Sequence, residues 1–99
     1  MRRFARIDAN QTAVITALRK LGCSVQSLAS VGDGCPDILV GWRGRNFLME
    51  VKDGEKAPSD RKLTAAEAHF LATWKGGPAV VVESEQEAIN AVIAHARPW

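Results

Sequence analysis

Asp37-Ile38-Leu39-Val40-Gly41-Trp42-Arg43-Gly44-Arg45-Asn46-Phe47-Leu48-Met49-Glu50-Val51-Lys52 is the stretch on which the fold turns. Two runs rich in strand formers, 37–42 and 46–52, flank the tight turn Arg43-Gly44-Arg45, so the stretch reads as a β-hairpin. With the turn centred on Arg43 and Gly44, Trp42 faces Arg45. Stepping outward along the pair then sets Asp37 directly opposite Glu50, with Cβ atoms about 5 Å apart. Lys52 lies two residues beyond Glu50 and shares its face, because side chains alternate along a strand. Two acids and a lysine therefore meet at the open end of one hairpin.

The flanking sequence supplies the other elements. A helix is expected over 8–21. Asp8 can cap it, Gln11 stands where a capping box places its partner, and Val14, Leu18 and Leu21 recur at helical spacing, with Ile15 and Ala17 widening the stripe. Gly22 stops it. A strand over 23–30 follows, then a loop marked by the glycines and proline of Val31-Gly32-Asp33-Gly34-Cys35-Pro36. Beyond the hairpin, 53–62 is polar, contains Gly54 and Pro58, and reads as a mobile loop. Thr64-Ala65-Ala66-Glu67 opens a second helix, with Leu63, Phe70, Leu71 and Trp74 as its apolar, core-anchoring side, and Gly76-Gly77-Pro78 ends it. A short apolar strand over 79–82 leads to Ser84-Glu85-Gln86-Glu87, a third capping box. It starts a last helix with Ile89, Val92 and Ile93 on its buried face. The order is αβββαβα. Apolar residues on both faces of the central strands predict an α/β fold with helices on both sides of the sheet.

Composition narrows the classes. Ninety-nine residues, 46% of them apolar, with a net charge of +2, suit a single domain over 1–99 and argue against disorder. No apolar run approaches the roughly 18 residues of a membrane span. The basic start, Arg2, Arg3 and Arg6, is not followed by an apolar stretch with a cleavage site, so a cytoplasmic protein with no membrane partner is expected. Cys23, Cys35, His69 and His95 lack the spacing of a disulfide framework or a zinc site. Ser27, Ser30 and Thr64 have no paired His and Asp, so no nucleophile is assigned, and His69 reads as a surface residue. Thirteen basic residues against eleven acidic ones say little in total. Their clustering at Arg43 and Arg45, and at Lys52, Lys56, Arg61 and Lys62, marks candidate nucleic-acid contacts or a solvated face.

Two unpaired carboxylates facing each other repel, and one is driven to hold its proton. A salt-bridged pair on a solvated face is one solution. A divalent cation is another, because carboxylates, a main-chain carbonyl such as that of Val51, and water are the hard oxygen ligands that Mg²⁺ or Mn²⁺ prefers. The double-sided burial expected of these strands favours the second, as does the Gly34-Cys35-Pro36 loop that delivers Asp37 to the strand. Lys52 beside such a cation can orient or deprotonate a water, or stabilise charge on an attacked phosphate.

At these residues the chain resembles a known superfamily. Pro36-Asp37, twelve residues, then Glu50-Val51-Lys52 match the PD-(D/E)XK nuclease signature. The wider pattern resembles the small stand-alone VRR-NUC proteins of phages and bacteria, relatives of archaeal Holliday-junction resolvases. It includes Gly34 to Gly41, Leu48 to Gly54, Lys62-Leu63-Thr64 and Trp74-Lys75-Gly76-Gly77-Pro78, and runs from about Asp8 to Val92. The resemblance implies a single restriction-endonuclease-like domain with a central mixed sheet flanked by helices. It implies Asp37, Glu50 and the Val51 carbonyl as metal ligands and Lys52 as the catalytic lysine. Such families also place a polar or acidic residue of the first helix near the metal. That helix has no glutamate here, and Gln11, with Asp8 behind it, stands at the matching distance.

The expectation is a Mg²⁺- or Mn²⁺-dependent DNA endonuclease, selective for branched DNA such as four-way junctions. Symmetric cutting of two strands needs two sites, hence a homodimer. A catalytically weak or inactive DNA-binding module of the same fold is the alternative, and a protein-interaction domain is a third.

Overall fold

The computed structural model of the chain describes residues 9–95. Asp8, expected to cap the first helix, and the basic residues Arg2, Arg3 and Arg6 lie outside the described residues. The elements run α1 (Ala9–Leu21), β1 (Ser24–Ser27), β2 (Ile38–Trp42), β3 (Arg45–Val51), α2 (Ala65–Thr73), β4 (Ala79–Val82) and α3 (Glu85–His95). This is the αβββαβα order, and the fold is α/β. The four strands form one mixed sheet in the order β1-β2-β3-β4. The first three are antiparallel neighbours, and β4 returns parallel to β3 through the α2 crossover.

The hairpin turns on two residues, Arg43 and Gly44, which have φ of 50° and 80°. Positive φ at both central positions is what a tight hairpin turn matched to strand twist requires. It sets Trp42 against Arg45, Val40 against Phe47 and Ile38 against Met49. Ile38, Val40, Phe47, Met49, Val51 and Val82 form the core face of the sheet and meet Val14 and Leu18 of α1 and Ala88 and Val92 of α3. Each large apolar side chain buried in this way contributes about 1.5–3 kcal/mol. The opposite face carries Leu39, Leu48, Glu50 and Val81, and α2 crosses it.

Several expectations change at the margins. The first strand ends at Ser27 rather than continuing to residue 30, since the chain turns over residues 28–31, where Val31 N–H donates to the Leu28 carbonyl at 3.0 Å. The loop over 53–62 is more structured than its composition suggests. It contains the short 3-10 helix Pro58–Asp60, and Arg61 pins it by pairing with Glu83 at 3.2 Å and donating to the Lys56 carbonyl at 2.8 Å. Phe70, Leu71 and Trp74 are not core anchors. The α2 helix buries none of its residues, and Trp74 is 48% exposed. Phe70 and Trp74 cover each other instead, stacked at 5.0 Å with their planes 12° apart. On α3 the buried stripe is Ala88 and Val92, and Ile93 is 49% exposed. Among the described residues, no helix is long and apolar enough to cross a membrane.

With so little buried, α2 depends on its N-terminal end for its position. A Cβ at Gly34 would lie 2.3 Å from the Ala66 carbonyl oxygen, and Gly34 has φ of 78°. Gly34→Ala is therefore expected to destabilise the protein by more than about 1 kcal/mol, through both the strained backbone and displacement of α2. Urea unfolding of the two proteins measures this, and equal midpoints would show that α2 does not rest on the glycine.

Candidate active site

The open end of the hairpin is closed by one side chain. Asp37 follows the buried Pro36 and precedes β2. Its main-chain carbonyl accepts from Leu28 N–H at 2.8 Å, and its Oδ2 accepts from Val51 N–H at 2.7 Å. Continued two steps past Ile38 and Met49, the register sets Pro36 against Val51. Proline has no N–H, so it cannot donate the ladder hydrogen bond that the Val51 carbonyl would otherwise receive from that strand. The proline–aspartate pair thus ends the ladder, occupies the Val51 N–H with a carboxylate, and leaves an oxygen of the main chain beside Asp37 and Glu50.

Glu50 is 3% exposed, on the sheet face opposite the main core. Burial, then the charges of Asp37 and Glu67, push its pKa up to about 8. Asp37 is also raised, since burial outweighs the Val51 N–H, the Glu50 side chain and Lys52. The Lys52 ammonium lies 3.4 Å from Glu50 Oε2 and 3.1 Å from Glu67 Oε1. Burial works against its charge, but the Glu67 hydrogen bond and the Glu50 charge outweigh burial and hold the pKa of Lys52 above its usual value. Burial opposes the charge of Glu67 too, and the Thr64 N–H and Lys52 overcome it, so its carboxyl is held low. At neutral pH the cluster is therefore a charged Lys52–Glu67 pair beside two carboxyls that resist sharing negative charge.

Gln11 of α1 is 4% exposed and lines the same pocket of about 250 Å³ as Asp37, Glu50, Lys52, Asp53, Lys56, Asp60 and Glu67. The structure thus brings Asp37, Glu50, Val51, Lys52 and Gln11 together, as the sequence reading expects. Lys56 stands at the rim. Arg61 is tied to Glu83, and Lys62 is exposed. Arg43, in the turn, and Arg45, which closes it, stand at the far end of the hairpin, where the Arg43 guanidinium lies 4.4 Å over the Trp42 ring. His69 is exposed, and Cys23 and Cys35 are free thiols. Among the described residues, no group of three or more His, Cys, Asp and Glu side chains is arranged to hold a metal ion, so the oxygen set here is two carboxylates and the main chain.

Two residues were not legible as part of the site. Asn10 Nδ2 donates to the Lys52 carbonyl at 2.7 Å and so fixes the end of β3 to α1. Glu67 reads from sequence only as a helix cap. It is that, because Thr64 Oγ1 accepts from Glu67 N–H at 3.1 Å while Glu67 Oε1 accepts from Thr64 N–H at 2.9 Å. The same Oε1 also takes Lys52.

No family model and no curated protein matches the chain. A solved structure titled "VRR_NUC domain" does. It is 28% identical, superposes with a TM-score of 0.54, and the match covers 88% of this chain and 92% of that one. The chain has a VRR-NUC nuclease-like fold. The mixed sheet, its flanking helices and the αβββαβα order are those of a VRR-NUC domain, and the acid pair lies at the end of that fold's central hairpin.

Glu50 gives the metal-free protein a definite pH dependence. In the folded state it keeps its proton to about pH 8, whereas in the unfolded chain it loses it near 4.5. Between those values the folded state binds the extra proton, so stability falls as pH rises. Asp37, also raised, adds the same sign. Glu67, held low, acts in the opposite sense, but only at and below the usual carboxylate range. The metal-free protein is expected to melt at a higher temperature at about pH 5.5 than at about pH 8.5, and Glu50→Gln to flatten that slope. A melting temperature that climbs across the interval would contradict a protonated, buried Glu50.

Proposed function

We propose that the chain is a metal-dependent endonuclease that hydrolyses phosphodiester bonds in DNA. The observation that carries this reading is the pairing of half-buried Asp37 with buried Glu50, with Lys52 beside them, at the end of the central hairpin of a VRR-NUC nuclease-like fold. Asp37, Glu50 and the Val51 carbonyl would hold Mg²⁺ or Mn²⁺. The donor set fits such an ion, since all its atoms are hard oxygens and two of them belong to carboxylates that burial holds above their usual pKa, Glu50 being raised further by the Asp37 charge. When bound, the cation supplies Lewis-acid assistance to water and to the phosphate oxygens.

The residues of the chain do the rest. Lys52, held charged, donates to the phosphate oxygen on which negative charge grows, and does not serve as the base. Gln11, buried at the pocket wall, orients a water through its amide. Lys56 and Lys62 contact the phosphates flanking the cut, while Arg43 and Arg45 at the remote turn, and Arg61 where Glu83 leaves it free, meet the backbone farther out. Branched DNA such as a four-way junction is the substrate that the resemblance favours, and a two-fold homodimer supplies the second site for paired cutting. One observation favours a weaker reading. The first turn of α1 holds no acid, and an uncharged glutamine occupies the position beside the pair, as in a catalytically weak or inactive DNA-binding module.

Labelled duplex, flap, single-stranded and four-way-junction DNA, incubated with Mg²⁺, Mn²⁺ or EDTA, separates the two readings. Cleavage is expected with metal only, falling by about 100-fold or more in Glu50→Gln and in Lys52→Ala. Binding without cleavage of any substrate would sink the enzyme and leave the module. Calorimetric Mg²⁺ binding to the protein alone is expected to tighten from about pH 6 to about pH 8 with release of a proton, because its ligands must be deprotonated. Affinity that does not change with pH would remove Glu50 from the ligand set.

A further inference from the structure

Glu67 makes a contact that its role as a helix cap does not require. A capping box needs the third helical residue to accept from the N-cap backbone, and Thr64 N–H to Glu67 Oε1 at 2.9 Å meets that need. Yet the same oxygen lies 3.1 Å from Lys52 Nζ, and both side chains are largely shielded from solvent. An ammonium has three N–H groups. One faces Glu67, one faces Glu50 Oε2 at 3.4 Å, and one remains for the pocket. Lysine reaches any such position on a flexible four-carbon stem, and holding it in one place costs about 2 kcal/mol of rotamer entropy. With Glu50 alone, the ammonium would settle on that carboxylate and withdraw it from other ligands. With Glu67 on its other side, it is shared between the two.

We infer that Glu67 is a positioning residue. It holds the Lys52 ammonium between α2 and the Asp37–Glu50 pair, with one N–H directed at the substrate phosphate, and it makes the seat of α2 a condition for an ordered site. The inference rests on the nuclease reading for its kinetic consequence and on the geometry alone for the position of Lys52. A helix with no buried residue is an unusual support for a catalytic group, and the close approach of Gly34 to the Ala66 backbone secures the end of the helix that carries Glu67.

Three variants and two readouts test it. Glu67→Ala is expected to lower kcat by about 10- to 100-fold with KM little changed. Glu67→Gln keeps an oxygen that can accept from both Lys52 and Thr64, and is expected to stay within about threefold of wild type. Thr64→Ala breaks the other half of the capping box, leaves the Lys52–Glu67 contact, and is expected to stay within the same range. The second readout does not use activity. Acetylation of Lys52 in the metal-free protein, measured by mass spectrometry against the exposed Lys62, is expected to speed up several-fold in Glu67→Ala and not in Thr64→Ala. Should Glu67→Ala not fold, Glu67→Asp, which keeps a carboxylate in the first turn but cannot reach both partners, takes its place with the same expectations.

A fall in Thr64→Ala equal to that in Glu67→Ala would reduce the residue to a helix cap and overturn the inference. So would an unchanged kcat in Glu67→Ala, or a Glu67→Gln enzyme as slow as Glu67→Ala. A wild-type protein that cuts no substrate would end the nuclease reading instead, and the labelling ratio would then decide the position of Lys52 by itself.

Discussion

The register of one hairpin is the constraint on which the rest depends. A turn of two residues sets Ile38 against Met49, and the next pair outward is Asp37 and Glu50. A slip of one residue would send every side chain of the slipped strand to the other face. The acids would part, and Phe47, Met49 and Val51 would leave the core that α1 and α3 cover. Burial of the core face and juxtaposition of the acids are therefore enforced by the same alignment. The hydrophobic energy that fixes the strands also brings together two acids that would otherwise separate.

That juxtaposition creates an electrostatic conflict, and the fold resolves it only in part. Asp37 has the Val51 N–H, Lys52 has two carboxylates, and Glu67 has Lys52 and the N-terminus of its helix. Glu50, the most deeply buried of the group, faces two acids and a single shared ammonium, and its pKa rises to about 8. A buried acid whose charge is opposed at the centre of an otherwise well-paired cluster marks a candidate functional group. The VRR-NUC nuclease-like fold is consistent with that view.

The legible part of this architecture was local. Turn chemistry at Arg43-Gly44, the strand-former runs 37–42 and 46–52, and the Thr-x-x-Glu signal at residue 64 each act over a few residues, and each is met in the structure. The capping box expected at Ser84 is half met, since Ser84 Oγ accepts from Glu87 N–H while Glu87 Oε1 accepts from Glu83 N–H. Proline before Asp37 carried more information than its motif suggests, because its missing N–H opens the ladder at Val51. What the sequence did not disclose was tertiary. Aromatic spacing in α2 suggested a core face, but the helix meets the sheet only lightly, and Phe70 and Trp74 stack on each other. Ile93 fell on the open side of a stripe that Ala88 and Val92 define. Glu67 was hidden by having two roles at one oxygen. Its local role as a cap accounts for its presence fully, so nothing in the spacing called for a second.

The parallel return of β4 has a consequence for the order of events in synthesis. Gln11, Asp37, Glu50, Lys52 and Glu67 come from α1, the hairpin and α2, so the pocket draws on more than half the length of the chain. The hairpin can form from its own contacts, but α2 is held in place by the crossover whose far end is β4, and Asn10 closes on the Lys52 carbonyl only when α1 has docked. A chain still emerging from the ribosome, or one truncated before α2, therefore carries the acid pair without the carboxylate that Lys52 meets at 3.1 Å. The pocket is complete only once the later elements have been made and packed.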